Sequence, residues 1–178
     1  DMLVTPIAAG YHFDKVNHIA FSLPIYVPTG AYNEDRLANP GQNNYTFIPT
    51  VAFTHLDGKG GEFSLMAALE LYTENDATHY RNGNIFTLDA LWTLGLSNGW
   101  SAGLAAGYVQ QITDDKGDTA DALGGFRGRS VGAGPVIGWS GKFADADATI
   151  SARWVPEFDT KNRPQGDGVA INLTLAFF

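Results

Sequence analysis

An all-β fold, and within it an antiparallel transmembrane β-barrel, is predicted by three features of this sequence. Apolar side chains recur at every second position in segment after segment, the period of a strand whose successive side chains point to opposite faces. One parity of each segment holds no Asp, Glu, Lys or Arg, although the opposite parity carries several. The connections alternate between short and long, which gives one end of the sheet tight turns and the other end large loops.

The runs follow in order. The first sets Leu3, Ile7, Tyr11 and Phe13 on one face, and Asp14 to Asn17 turns the chain. Ile19, Phe21, Leu23, Ile25 and Val27 form the second, which leads into a long polar loop from Pro28 to Asn44. Tyr45, Phe47, Val51 and Phe53 form the third, closed by the Asp-Gly-Lys-Gly-Gly turn from Asp57 to Gly61. Phe63, Leu65, Ala67, Leu69 and Leu71 make the fourth, and the loop Thr73 to Gly83 follows. Phe86, Leu88, Ala90, Trp92, Leu94 and Leu96 make the fifth; Ser97-Asn98-Gly99 turns it into the sixth, with Trp100, Ala102, Leu104, Ala106 and Tyr108. Beyond the loop Thr113 to Arg127 lie Val131, Ala133, Pro135, Ile137 and Trp139, then a corner from Gly141 to Asp145. Ala148, Ile150, Ala152 and Trp154 form the eighth run, Glu157 to Gly168 the next loop, and Val169, Ile171, Leu173, Leu175 and Phe177 the ninth. These about nine runs of roughly 9 to 11 residues are longer than the usual soluble strand of about 5 to 6, and suit a tilted strand crossing a bilayer.

Exclusion of charge from one face is what lipid demands, since Lys or Arg there costs roughly 2 to 4 kcal/mol near the midplane. A soluble sandwich also hides one face, so the loops and the aromatic residues must discriminate. Phe13, Phe53, Phe63, Trp100, Trp139 and Phe177 fall toward the short turns, and Tyr45, Phe47, Phe86, Tyr108, Trp154 and Phe158 toward the long loops. Two such girdles fit headgroup regions. The chain ends Ala176-Phe177-Phe178, with Phe177 rather than Phe178 on the lipid parity.

Composition agrees and excludes other classes. Only 17% of residues are charged, against a typical fraction of about 25%, yet the mean hydropathy is −0.10 and no stretch reaches the ~18 apolar residues of a membrane helix. A formal charge of −8 repels phosphate backbones, so no nucleic-acid partner is expected. The absence of cysteine removes disulfides, thiolate metal sites and Cys nucleophiles. The expected organisation is a single barrel domain over 1–178. An odd number of strands ending on the short-turn side would begin on the long-loop side, so N-terminal strands and any signal peptide are expected to be missing.

Several segments together resemble one family in order along nearly the whole chain. They are Pro28-Thr29-Gly30-Ala31-Tyr32, Leu37-Ala38-Asn39-Pro40-Gly41, Asn75-Asp76-Ala77-Thr78-His79-Tyr80-Arg81-Asn82-Gly83, Asn98-Gly99-Trp100, Tyr108-Val109-Gln110-Gln111 with Asp114-Asp115, Gly134-Pro135, and Asn162-Arg163-Pro164-Gln165-Gly166-Asp167. The sequence resembles the bacterial outer-membrane channel family associated with the meta-pathway of phenol degradation. That resemblance implies a twelve-stranded barrel of which this chain supplies the last nine strands, and passage of small hydrophobic or aromatic compounds. Ala120 to Phe126 departs from the family pattern.

The inward parity carries Glu62, Met66, Glu70, Tyr72, Asp89, Arg153 and Glu157 among apolar Ala52, Ala68, Leu91 and Val109. A lumen of both signs with apolar patches suits bulky molecules with few charges. Met66, Glu70, Tyr72, Asp89, Arg153 and Glu157 are therefore the candidate pathway, with Glu70, Asp89 and Arg153 either narrowing it or satisfying one another as interior pairs. Asp76, Tyr80, Arg81 and Arg163 are the candidate gate, or else loop residues that hold the mouth together, Arg81 through a loop carboxylate. Asp114 to Asp118 reads as a solvated acidic loop without calcium-loop spacing. His12, His18, His55 and His79 lack metal-ligand spacing and no Gly-x-Ser-x-Gly elbow occurs, so no catalytic residue, metal or cofactor is expected. The expected function is passive uptake by a monomer in outer-membrane lipid or lipopolysaccharide. An outer-membrane hydrolase and a soluble β-sandwich binding module are the alternatives.

Overall fold

The computed structural model describes residues 1–143 and 146–177. The chain forms one antiparallel sheet of 12 strands with almost no helix. The strands are β1 (Met2–Val4), β2 (Ala8–His12), β3 (Asn17–Ser22), β4 (Ile25–Val27), β5 (Thr46–Phe47), β6 (Thr50–Leu56), β7 (Glu62–Tyr72), β8 (Ile85–Gly95), β9 (Trp100–Gln111), β10 (Arg129–Phe143), β11 (Ala146–Lys161) and β12 (Asp167–Ala176). Among the described residues one short α-helix, α1 (Asp118–Ala122), overlaps the start of the stretch that departs from the family pattern, and Ser97–Gly99 forms a 3-10 turn.

Sequential runs pair with their neighbours, so the sheet is an up-and-down meander. Each of the first three runs is divided in two, and each division holds a proline: Pro6, Pro24 and Pro49. Proline has no N–H to give the ladder. Pairing still crosses the gaps on one side, through Ile48 N–H to Pro24 O (2.8 Å) and Leu69 N–H to Pro49 O (3.1 Å). The reciprocal bonds are missing because positions 24 and 49 cannot donate. Downstream, β7 to β11 run for 11, 11, 12, 15 and 16 residues.

The short turns fall where the alternation places them. In the first, Asp14 Oδ1 accepts from the N–H groups of Val16 and Asn17, both at 2.7 Å. In the second, Asp57 Oδ1 accepts from Lys59 N–H (2.7 Å) and Gly61 N–H (2.8 Å). The third uses Asn98 and Gly99 at φ 58° and 78°, a left-handed pair that suits Asn-Gly and lets Trp139 Nε1 donate to Asn98 O at 3.2 Å. At the Gly141 to Asp145 corner the expectation needs correction, since β10 continues through Lys142 and Phe143; Ala144 and Asp145 lie outside the described residues, as does Phe178.

The loop from Glu157 to Gly168 also needs correction. β11 extends to Lys161 and β12 begins at Asp167, because the hairpin goes on pairing well above Glu157. A bulge lies here: Gly132 faces Glu157, but Val131 faces Asp159, so one extra residue sits on β11. This extra residue reverses the parity of β11 above it. Asp159 thus shares the face of Arg129, and the two form an ion pair at 2.9 Å.

The sheet does not close into a barrel: β12 pairs with β11, the β1–β2 run pairs with β3 and β4, and the two outer edges are free among the described residues. It curls nonetheless, because residues of β6, β7, β8, β9, β11 and β12 line one hollow. Few large side chains are buried. The convex face instead presents Trp92, Leu104, Ile137, Ile150, Trp154 and Ile171, with Leu104 56% and Ile171 75% exposed.

Candidate functional site

The concave face is built from the inward parity, and its width follows from side-chain size. Gly103, Ala105 and Gly107 on β9, Gly132 and Gly134 on β10, and Gly168 and Ala170 on β12 leave small side chains on both sides of β11. Met66, Asp89 and Leu91 come from β7 and β8, and Arg153 and Val155 from β11. Between them is a hollow of about 430 Å³. A second hollow of about 390 Å³, lined by Val109, Ser130, Gly132 and Glu157, shares Gly107, Val155 and Gly168 with the first. The two hollows adjoin along these residues, one at mid-sheet and the other toward the long loops.

The expected pathway residues divide between these spaces. Met66, Asp89 and Arg153 line the first hollow, and Met66 faces Asp89 across β7 and β8. Asp89 and Arg153 are both exposed and make no ion pair among the described residues, although Asp89 is close enough to feel the Arg153 charge. They therefore line the hollow without an ion pair between them. Glu157 lines the second hollow, where Ser130 Oγ and Gly166 N–H (2.8 Å) donate to its carboxylate. Glu70 does not join Asp89 and Arg153: its carboxylate accepts from the Tyr72 hydroxyl two residues away on the same face. Arg163 leans its stem on Gly128, where an added Cβ would stand 3.0 Å from Arg163 Cγ, and its charge bears on Tyr72 and Glu157.

The gate residues behave differently from one another. Asp76 is exposed in the turn between the bridged residues Asn75 and Tyr80. Arg81 takes no loop carboxylate among the described residues; its backbone forms a bridge with Lys116, at 3.0 and 2.9 Å. The carboxylate that organises the mouth is Asp115, only 9% exposed, which accepts from Tyr80 Oη, Gly83 N–H (2.6 Å) and Gln111 Nε2 (2.7 Å). This overturns the solvated reading of Asp114 to Asp118 for its second residue. The cause is largely tertiary, because two of the three donors, Tyr80 and Gly83, lie on a loop more than thirty residues away, and only Gln111 is near in sequence. Asp114 does face solvent, paired with Arg127 Nε at 2.5 Å. That guanidinium holds its carboxyl below the usual range, and burial with the Asp115 bond pushes the Tyr80 phenol up to about 12.

Two further features lay beyond the sequence reading. Asn44 is 6% exposed and its Oδ1 has no hydrogen-bond partner. Gly107, Gly132 and Gly168 line the hollows, and their signal was glycine recurring at inward positions. Among the described residues, no group of three or more His, Asp or Glu side chains is placed to hold a metal ion.

Residues 1–173 match the family model described as "Putative MetA-pathway of phenol degradation". No curated protein and no solved structure matches the chain.

Proposed function

From a chain that belongs to the MetA-pathway of phenol degradation family, and whose curled sheet has an apolar convex face and a hollow concave one, we propose an outer-membrane channel for passive uptake of small hydrophobic or aromatic compounds. The observation that carries the proposal is the contrast between the two faces. Large apolar side chains stand exposed on the outside, where lipid would cover them, and the inside holds two adjoining hollows. Within these hollows glycine and alanine supply room, Met66, Leu91 and Val155 supply apolar contact, and the charges are those of Asp89, Glu157 and Asp167 against Arg153. Carboxylates outnumber the one guanidinium on this wall, and an aromatic ring with few charges crosses its apolar stretches without losing strong hydration. Passage of this kind involves no catalytic step. In lipid the free sheet edges need strand partners, since each unpaired backbone group there costs several kcal/mol.

Reconstitution in liposomes tests the proposal. Influx of phenol and benzoate is expected to exceed that of protein-free vesicles, and Gly107→Trp, placed where the two hollows meet, is expected to lower it several-fold. Equal influx with and without the protein overturns the proposal.

A further inference from the structure

His12 and His18 lie 6 residues apart in the chain, and the β2–β3 hairpin sets them directly opposite one another. Their Nδ1 atoms stand 2.6 Å apart, with the ring centroids at 4.7 Å and the ring planes at 80°. One Nδ1–H donates to the other Nδ1, and neither ring has another hydrogen-bond partner among the described residues. His18 also faces Thr54 of β6, which lines the mid-sheet hollow, so both imidazoles share the concave side near its short-turn end. His12 is exposed and His18 half-buried, so the pair is open to an ion from solution. The other candidate ligands nearby are engaged elsewhere. Asp14, whose charge bears on His18, accepts from Val16 N–H, Asn17 N–H and Asn17 Nδ2 in the turn. His55 sits opposite Asn17, and its Nδ1 bonds Asn17 Oδ1 at 2.8 Å.

We infer that His12 and His18 together bind a divalent late transition-metal ion, Cu2+ in preference to Ni2+ or Zn2+. Neutral imidazole suits these ions, and each Nδ1 offers a lone pair once the ring proton sits on Nε2. The accepting ring is already in that form. The donating ring reaches it by losing its Nδ1 proton to water and taking one at Nε2, so the neutral pair receives the ion with no net proton released. With metal–nitrogen bonds of about 2.0 to 2.1 Å, two nitrogens at a right angle stand about 2.9 Å apart, and at a tetrahedral angle about 3.3 Å. The 2.6 Å separation is nearer the right-angled case, the arrangement of two adjacent ligands in a tetragonal Cu2+ site. Water fills the remaining positions. The strand register holds the two rings together before the ion arrives, so little ordering is left for binding to oppose. This site belongs to one hairpin and stands whether or not the chain conducts aromatic compounds.

The test uses the full chain folded in detergent micelles, in a buffer that does not chelate metals. Cu2+, Ni2+ and Zn2+ are titrated by calorimetry, and the Cu2+ form is read by electron paramagnetic resonance. One equivalent of Cu2+ is expected to bind with the hyperfine pattern of two nitrogens, and Ni2+ and Zn2+ more weakly. His12→Gln and His18→Gln should each weaken Cu2+ binding by at least about tenfold, since loss of even a supporting hydrogen bond costs a metal site that much, and leave a one-nitrogen spectrum. His55→Gln and His79→Gln should bind as the parent does. In the unsubstituted chain, Cu2+ should protect His12 and His18 from diethyl pyrocarbonate and leave His55 and His79 reactive. Absence of Cu2+ binding, unchanged affinity in both His12→Gln and His18→Gln, protection at His55 or His79 in their place, or tighter binding of Zn2+ than of Cu2+ overturns the inference.

Discussion

Asp115 shows what a single carboxylate does when the fold buries it. Tyr80, Gly83 and Gln111 all donate to it, so the turn after β7 and the start of the next long loop are tied at one point. Tyr80→Phe removes one donor and is expected to lower unfolding stability by about 1 kcal/mol, since the phenol is partly exposed. Its pH dependence has a definite sign. The folded phenol is raised from 10.0 to about 12, so its contribution is complete below pH 10 and is lost as pH rises toward 12. Alkaline unfolding curves of the two proteins should therefore converge across that window. Asp57 works in the opposite sense. Backbone N–H groups of Lys59 and Gly61 hold its carboxyl below the ordinary 3.8, so its contribution is present above that pH and is lost as pH falls through the lowered value. Asp57→Ala should lower the thermal midpoint at pH 7, with the difference from the parent shrinking in acid. The turn role of Asp57 was legible, because Asp-Gly in a short connection has a local mechanism. The role of Asp115 was not, because two of its three donors, Tyr80 and Gly83, come from a loop more than thirty residues away.

At the scale of the strand, parity is the main organising rule, and it separates substitutions that look alike. Leu104 and Met66 are both large, apolar and exposed, but Leu104 stands on the convex face and Met66 lines the mid-sheet hollow. Under the proposed membrane placement, Leu104→Lys should cost about 2 to 4 kcal/mol in bilayer refolding, while Met66→Lys, facing Asp89, should cost far less. Equal costs would contradict the two-faced reading. Parity fails at the β11 bulge, where an extra residue turns Asp159 toward Arg129. It is also interrupted at the prolines of the first three runs. Pro49→Ala restores an N–H opposite Leu69 O and should join β5 to β6, seen as slowed amide exchange at that position and its neighbours. Exchange as fast as at a free edge would show that the break has another cause. The long alternating runs were readable because strand periodicity is local. The bulge was not, because it is defined by which residue of β10 lies opposite.

For the molecule as a whole, the low charge and near-zero mean hydropathy of the sequence follow from averaging an apolar convex face, a mixed concave face and acidic loops. A protein built this way should need detergent to stay in solution and should migrate differently on gels before and after heating; a chain that folds and stays monodisperse in plain buffer would count against the membrane reading. Alternation, turn residues and proline positions determined the all-β class, the succession of runs and which face of most of them would be apolar, because each depends on residues close together in the chain; the ion pair of Arg129 and Asp159 on the outward parity came from the bulge. Tertiary structure decided the rest: that Glu70 turns to Tyr72 while Asp89 and Arg153 line one hollow, that Asp115 binds the mouth together, and that Asn44 is buried without a partner. The physical reason is that a hollow is a relation between strands. Its width depends on which small side chains the curl of the sheet sets opposite which large ones, and its unpaired groups are defined only once every neighbour has taken its place.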